Sequence, residues 1–77
     1  MNIGDKIRKL RSSQGLKQID VAKATGASRP SVTDWENSVN RPKSQYIMPL
    51  AKLLNVDIYW LLDDKRDDEP PEYGRNT

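Results

Sequence analysis

Apolar residues recur at helical rather than alternating spacing through most of the chain. Ile3, Ile7 and Leu10 fall at i, i+4 and i+7, the stripe of an amphipathic helix over Ile3 to Ser13. Asn2 and Asp5 form a capping-box-like pair at its start. Lys6, Arg8, Lys9 and Arg11 cover the remaining faces and read as a solvated surface. Ser13-Gln14-Gly15 ends the segment, with Gly15 suited to a left-handed cap. A second helix is expected over Gln18 to Thr25, with Ile19, Val21 and Ala22 inward and Leu16 packed beneath its start. Gly26 closes it, because the turn needs a positive φ. Ser28 is a good N-cap for a third helix to about Asn37, with Pro30 in its first turn. Val32 and Trp35 are its core side, which leaves Arg29, Pro30, Thr33, Asp34 and Asn37 on other faces.

After a loop at Ser38 to Lys43, Ile47, Leu50, Ala51 and Leu54 mark the inward side of a fourth helix. If Ser44 is its N-cap, Pro49 lies beyond the first four amides and removes a helical hydrogen bond. A kink there, or a start closer to Tyr46, is therefore expected. Asp57 caps a short fifth helix from Ile58 to Leu62. The pattern predicts an all-α, five-helix domain over residues 1–62. The stretch 63–77, DDKRDDEPPEYGRNT, has no apolar period and cannot offset its own ordering entropy. It is expected to be a flexible acidic tail or linker.

Charge changes this picture more than composition does. The whole 77-residue chain carries +2. Residues 1–62 hold ten Lys/Arg against five Asp/Glu, and 63–77 hold three against six. A basic body of +5 thus carries a tail of −3, and such a body suits a polyanionic partner. There is no Cys and no His, which excludes disulfides and argues against a metal site. The same absence removes the commonest nucleophiles and bases, and no catalytic spacing joins the Ser, Asp, Glu and Lys that remain, so no enzyme and no cofactor is expected. The start has no apolar h-region. The longest apolar stretch, between Tyr46 and Leu62, is interrupted by Lys52, Asn55 and Asp57, against a membrane span. A cytoplasmic, nucleoid-associated protein is expected, with no membrane and no small-molecule ligand as partner.

The central pattern is a helix, a glycine turn and a second helix entered through a cap, from Gln18 to Glu36. Ala22 is small enough for the two helices to cross closely. Val32 and Trp35 anchor the second helix so that its opposite face, beginning at its N-terminus, projects. A projecting helix of this size fits the DNA major groove. LKQIDVAKATGASRPSVTDWENS, then RPKS, then LAKLLNVDIYWLL resembles the lambdoid phage repressor and Cro-like family of helix-turn-helix regulators. The likeness runs over about residues 3–62 and rests on Gln18, Ala22, Gly26, Val32, Trp35, Glu36, Pro42, Leu50-Ala51 and Trp60-Leu61-Leu62 in order.

The resemblance implies that the third helix reads bases through Arg29, Pro30, Thr33 and Asp34. It implies that Gln18 binds a phosphate and braces the first reading residue, and that Arg41 and Lys43 meet the backbone. Lys17, Ser28, Ser31, Asn37 and Arg11 complete the expected phosphate-binding set. Chemically, Arg29 suits guanine O6 and N7, Pro30 a thymine methyl, and Asp34 cytosine N4. Many relatives carry Gln at the Asp34 position, so a preference for adenine does not transfer. Lys17 replaces the usual small polar cap. Plainer readings stand beside these: Arg29 as a solvated charge, Pro30 as a first-turn proline, and Asp34 as a partner of Arg29 or a nearby Lys. Trp35 and Trp60 read as core and interface packing respectively, not as base-stacking residues.

One short helix covers few base pairs, so a sequence-specific repressor is expected to bind a palindromic double-stranded operator as a homodimer, weak without DNA. Val56, Ile58, Tyr59 and Trp60, with the loop near Val39, are the expected dimer surface. Whether the chain is a complete Cro-like regulator or the N-terminal domain of a longer repressor is open. The alternative function is a protein-interaction module, antitoxin- or coactivator-like, using the same fold with the tail and Tyr73 as the partner site.

Overall fold

The computed structural model describes residues 1–66, and the expected disorder of 67–77, with Tyr73, lies outside them. Those residues form five α-helices: α1 Ile3–Ser13, α2 Gln18–Thr25, α3 Arg29–Glu36, α4 Ser44–Leu54 and α5 Ile58–Leu62. Local chemistry accounts for most of the boundaries. Asn2 Oδ1 accepts from the Asp5 amide, Ser28 Oγ from the Ser31 amide and Asp57 Oδ2 from the Trp60 amide, each an N-cap satisfying one of the orphan donors of a first turn. At the start of α2 the reciprocal bond is present, with the Lys17 amide donating to Asp20 Oδ2.

Helices α1 to α4 all end by the same closure. Leu16, Ala27, Val39 and Val56 return their amides to Arg11, Ala22, Asp34 and Ala51, five residues back, through a residue with positive φ: Gly15, Gly26, Ser38 or Asn55. The residue after each left-handed position ordinarily packs against its helix. Leu16, Ala27 and Val56 do so, whereas Val39 stays 65% exposed.

The core is one cluster: Ile3 and Ile7 from α1, Val21 and Ala22 from α2, Val32 and Trp35 from α3, Ile47, Leu50, Ala51 and Leu54 from α4, then Val56, Trp60 and Leu61. Gly4 sits where α1 meets the end of α3, and a Cβ there would overlap the Trp35 carbonyl oxygen. Its lack of a side chain sets how closely the two helices approach.

Several expectations change. Ile19 is exposed, because Val21, Ala22 and Thr25 take the inward side of α2 and leave it outside their arc. Ser44 is the first helical residue of α4 rather than its cap; Lys43 precedes it without a side-chain cap. The helix runs on through Pro49 without a later start, since burial of Ile47, Leu50, Ala51 and Leu54 outweighs the one amide that proline removes. Lys6 is fully buried instead of solvated. Its Nζ donates to the Trp60 and Asp63 carbonyls, both at 2.6 Å, and lies 4.3 Å from the Trp60 ring centre. Carbonyls at the end of a helix lack their regular i+4 amide donors, and the lysine adds a charged donor to both while being satisfied itself. Order therefore continues past α5 to Arg66, whose amide donates to the Asp63 carbonyl. Val56 and Trp60, expected at a dimer surface, are 2% and 3% exposed and belong to this chain's own core. No helix among the described residues is long and apolar enough to cross a membrane.

Candidate nucleic-acid interface

The α2–turn–α3 unit is held from behind by a buried carboxylate. Glu36, at the end of α3, accepts from Arg11 Nε at 2.6 Å, Arg11 Nη2 at 3.0 Å and Gln18 Nε2 at 3.1 Å. Arg8 stands 3.8 Å away, and its Nη2 also donates to the Glu36 carbonyl and to Asn37 Oδ1. Arg11 closes the set by donating to the Leu16 carbonyl at 2.9 Å. Three helices thus meet at one side chain that is 1% exposed. A buried charge costs free energy unless it is both paired and hydrogen-bonded, and Glu36 is both. The hydrogen bonds that Arg11 donates to Glu36, with the charge of that carboxylate, hold the Arg11 guanidinium above its ordinary pKa against the opposing effect of burial.

Gln18 passes this rigidity forward. Its Oε1 accepts from Thr33 Oγ1 at 2.9 Å while its Nε2 is on Glu36. The amide orientation is therefore specified at both ends, and the first turn of α2 is locked to the middle of α3. Arg29 and Pro30 are exposed, Thr33 and Asp34 half-buried. All four lie on or beside the face of α3 turned away from Val32 and Trp35. The Arg29 guanidinium and the Asp34 carboxylate form no ion pair with each other or with any other described residue. The plainer reading of Asp34 as a partner for Arg29 or a lysine thus loses its support.

The expected phosphate ligands divide into two sets. Ser31, Arg41 and Lys43 come together around an open groove of about 350 Å³ beside α3, lined also by Trp35, Asn40 and Tyr46. Lys17 stands exposed at the start of α2, its ammonium unengaged among the described residues. Ser28 shares its hydroxyl with Ser31 at 2.9 Å while capping α3. Arg11 belongs elsewhere: its guanidinium is spent on Glu36 and Leu16, so it braces the unit and is not placed as a phosphate ligand. Asn37 is exposed and accepts from Arg8 through Oδ1. Tyr46 and Asn40 went unread in the sequence. Tyr46 is placed at the groove by its ring contact with Trp35, 5.2 Å between centres, and an isolated aromatic in a helix pattern carries no signal for that.

The helix-turn-helix family signature matches residues 7–61, most of the described fold. The chain belongs to the helix-turn-helix family. The domain is 31% identical over 70 residues to the HTH-type transcriptional regulator DicA of Escherichia coli K12, covering 91% of this chain and 52% of that protein. It is 36% identical over 56 residues to the ImmF control region 10 kDa protein of Bacillus phage phi105, covering 73% of this chain and 62% of that one. The chain thus spans roughly half to three fifths of the length of these relatives. Among solved structures it resembles the P22 c2 repressor protein crystallised with synthetic operator 9T, at a TM-score of 0.76 and 27% identity over 80% of this chain and 94% of that one. Family and fold are those of transcriptional regulators and not of enzymes.

Proposed function

We propose that the domain is a sequence-specific transcriptional repressor that binds a palindromic DNA operator as a homodimer, with α3 in the major groove. The observation that carries this is the start of α3. The Arg29 and Asp34 side chains pair with no other described residue, and with Pro30 they stand on a helix whose other side is fixed by Val32, Trp35 and Glu36. Unpaired charges on a rigid projecting helix are spare recognition capacity, and base edges in the major groove supply matching donors and acceptors. The operator-bound P22 c2 repressor shares the fold, which supports the same use here.

In this reading Arg29 reads guanine, Pro30 packs on a thymine methyl and Asp34 accepts from an exocyclic amine. Thr33, held by Gln18, lies between them. Lys17, Ser28, Ser31, Asn37, Arg41 and Lys43 approach phosphates on either side, and Gln18 adds the second hydrogen of its amide nitrogen. Two copies are needed for adequate specificity. With Val56 and Trp60 inside the core, the dimer surface reduces to Tyr59, 77% exposed, together with Ile58, Leu62 and Val39. So small an apolar area gives a weak free dimer that DNA assembles. Repression follows by occluding a promoter, in the bacterial or phage-infected cytoplasm where such DNA resides.

Selection from a random duplex pool tests this. A palindromic motif should emerge with half-sites about one helical turn apart. Arg29→Ala should then relax preference at one position per half-site, costing about 1–3 kcal/mol against the selected duplex and nothing against random DNA. Failure to enrich any motif would remove the reading. A uniform loss across all duplexes would make Arg29 a phosphate ligand instead.

A further inference from the structure

The stub after α5 reaches the groove beside α3. Asp64 Oδ2 accepts from Arg41 Nη1 at 2.9 Å, joining the stub to the loop between α3 and α4. The backbone that carries Asp64 is pinned at several points. Lys6 Nζ donates to the carbonyls of Trp60 and Asp63, the Met1 amine donates to the Asp64 carbonyl at 3.3 Å, and the Lys65 amide donates to Asp63 Oδ1 at 3.0 Å. The carboxylate is therefore presented to Arg41 by the fold itself. Arg41 borders the same groove as Ser31 and Lys43.

Accepting the DNA-binding reading above, we propose that Asp64 is a brake on the interface: its carboxylate neutralises Arg41, which exchanges Asp64 for a backbone phosphate when duplex DNA binds. Both side chains are about half exposed, 55% for Arg41 and 49% for Asp64. An exposed pair of this kind is weak and easily exchanged, and a phosphate offers the guanidinium a fork-shaped bidentate partner. Once Arg41 has moved, the pinned carboxylate remains beside the polyanion. The brake thus acts twice, by holding the cation in the free protein and by repelling phosphate in the complex. Neither effect depends on base sequence.

The test compares the full chain with Asp64→Asn, Arg41→Gln and the double variant, measuring affinity for the selected duplex and for random DNA across a salt titration. Asp64→Asn should tighten binding to both duplexes about three- to five-fold at low salt, as expected for removing one exposed ion pair. The slope of log affinity against log salt should steepen by up to about one, because the Arg41–phosphate contact is no longer offset by a neighbouring carboxylate. In the Arg41→Gln background the gain should shrink to the smaller part that comes from relieving phosphate repulsion. Unchanged or weaker binding by Asp64→Asn overturns the brake, and so does a gain that survives in full without Arg41, which would be a net-charge effect. A wild-type chain that binds no duplex even at low salt defeats the DNA-binding reading itself. One that binds while Asp64→Asn matches it defeats the brake alone.

Discussion

The two ends of α3 are built to opposite rules. At its C-terminal end, Trp35 fills the core and Glu36 takes hydrogen bonds from α1 and α2. At its N-terminal end Arg29 and Pro30 touch solvent, and further along the same free side Asp34 has no ionic partner among the described residues. The satisfied end is what makes the unsatisfied end useful. A helix loosely attached at both ends would lose orientational entropy on entering a groove, whereas one clamped behind has already given it up on folding. Burying a charge is an expensive way to clamp a helix, but its geometry is specific because every donor must be in place.

Removing the clamp should have the largest effect. Glu36→Ala leaves two arginines and Gln18 without their shared acceptor, and should destabilise the fold by about 3 kcal/mol or more, measured by denaturant unfolding. In a domain this small that approaches the whole stability. Glu36→Ala within a few tenths of the wild type would mean that the two ends of α3 are independent. Gly4→Ala attacks the same end by overlap with the Trp35 carbonyl, and should cost about 1–3 kcal/mol through a forced helix shift. On the free side of α3 the effects should be on DNA alone: Asp34→Ala should leave the melting temperature within about 1 °C while changing the preferred base at one position.

A smaller, opposite effect is expected at Ser38. It holds φ +60 to close α3, and Gly should relieve that strain by about 0.5–1 kcal/mol, raising Tm by roughly 2–6 °C. Unchanged Tm would mean that the Ser38 hydroxyl offsets the strain. The smallest expected response is to alkali. Because the Arg11 pKa is raised in the folded state, its contribution is fully present below the ordinary arginine value and is lost only as pH rises through the higher folded value. Between pH 6 and 10, roughly, the Arg11–Glu36 pair should therefore add no slope to stability through its arginine. A slope in that window that Arg11→Gln abolished would contradict the assignment.

Much of the fold was legible because its signals are local. Asn2, Ser28 and Asp57 cap their helices through side chains that reach only three residues, and Gly15 and Gly26 accept a positive φ that other residues resist. The projecting face of α3 was legible for the same reason: Val32 and Trp35 set one side by their spacing, so Arg29 and Asp34 had to lie on another. The errors share the opposite property. Lys6 looks like a surface lysine until α5 brings the Trp60 and Asp63 carbonyls to it. Val56 and Trp60 look like a terminal apolar patch until α4 and α5 fold them inward.

Arg11 shows where the division falls. Its spacing puts it on the polar face of α1, and that much follows from the chain alone. Whether a polar face meets water, DNA or a buried carboxylate depends on Glu36, which is 25 residues away and is brought close only when α1 packs on α3. Capping, periodicity and turn geometry act over a few residues and so are written in the sequence. The pairing of charges, and which apolar residues stay outside, depends on distances across the fold that exist only after the helices have packed.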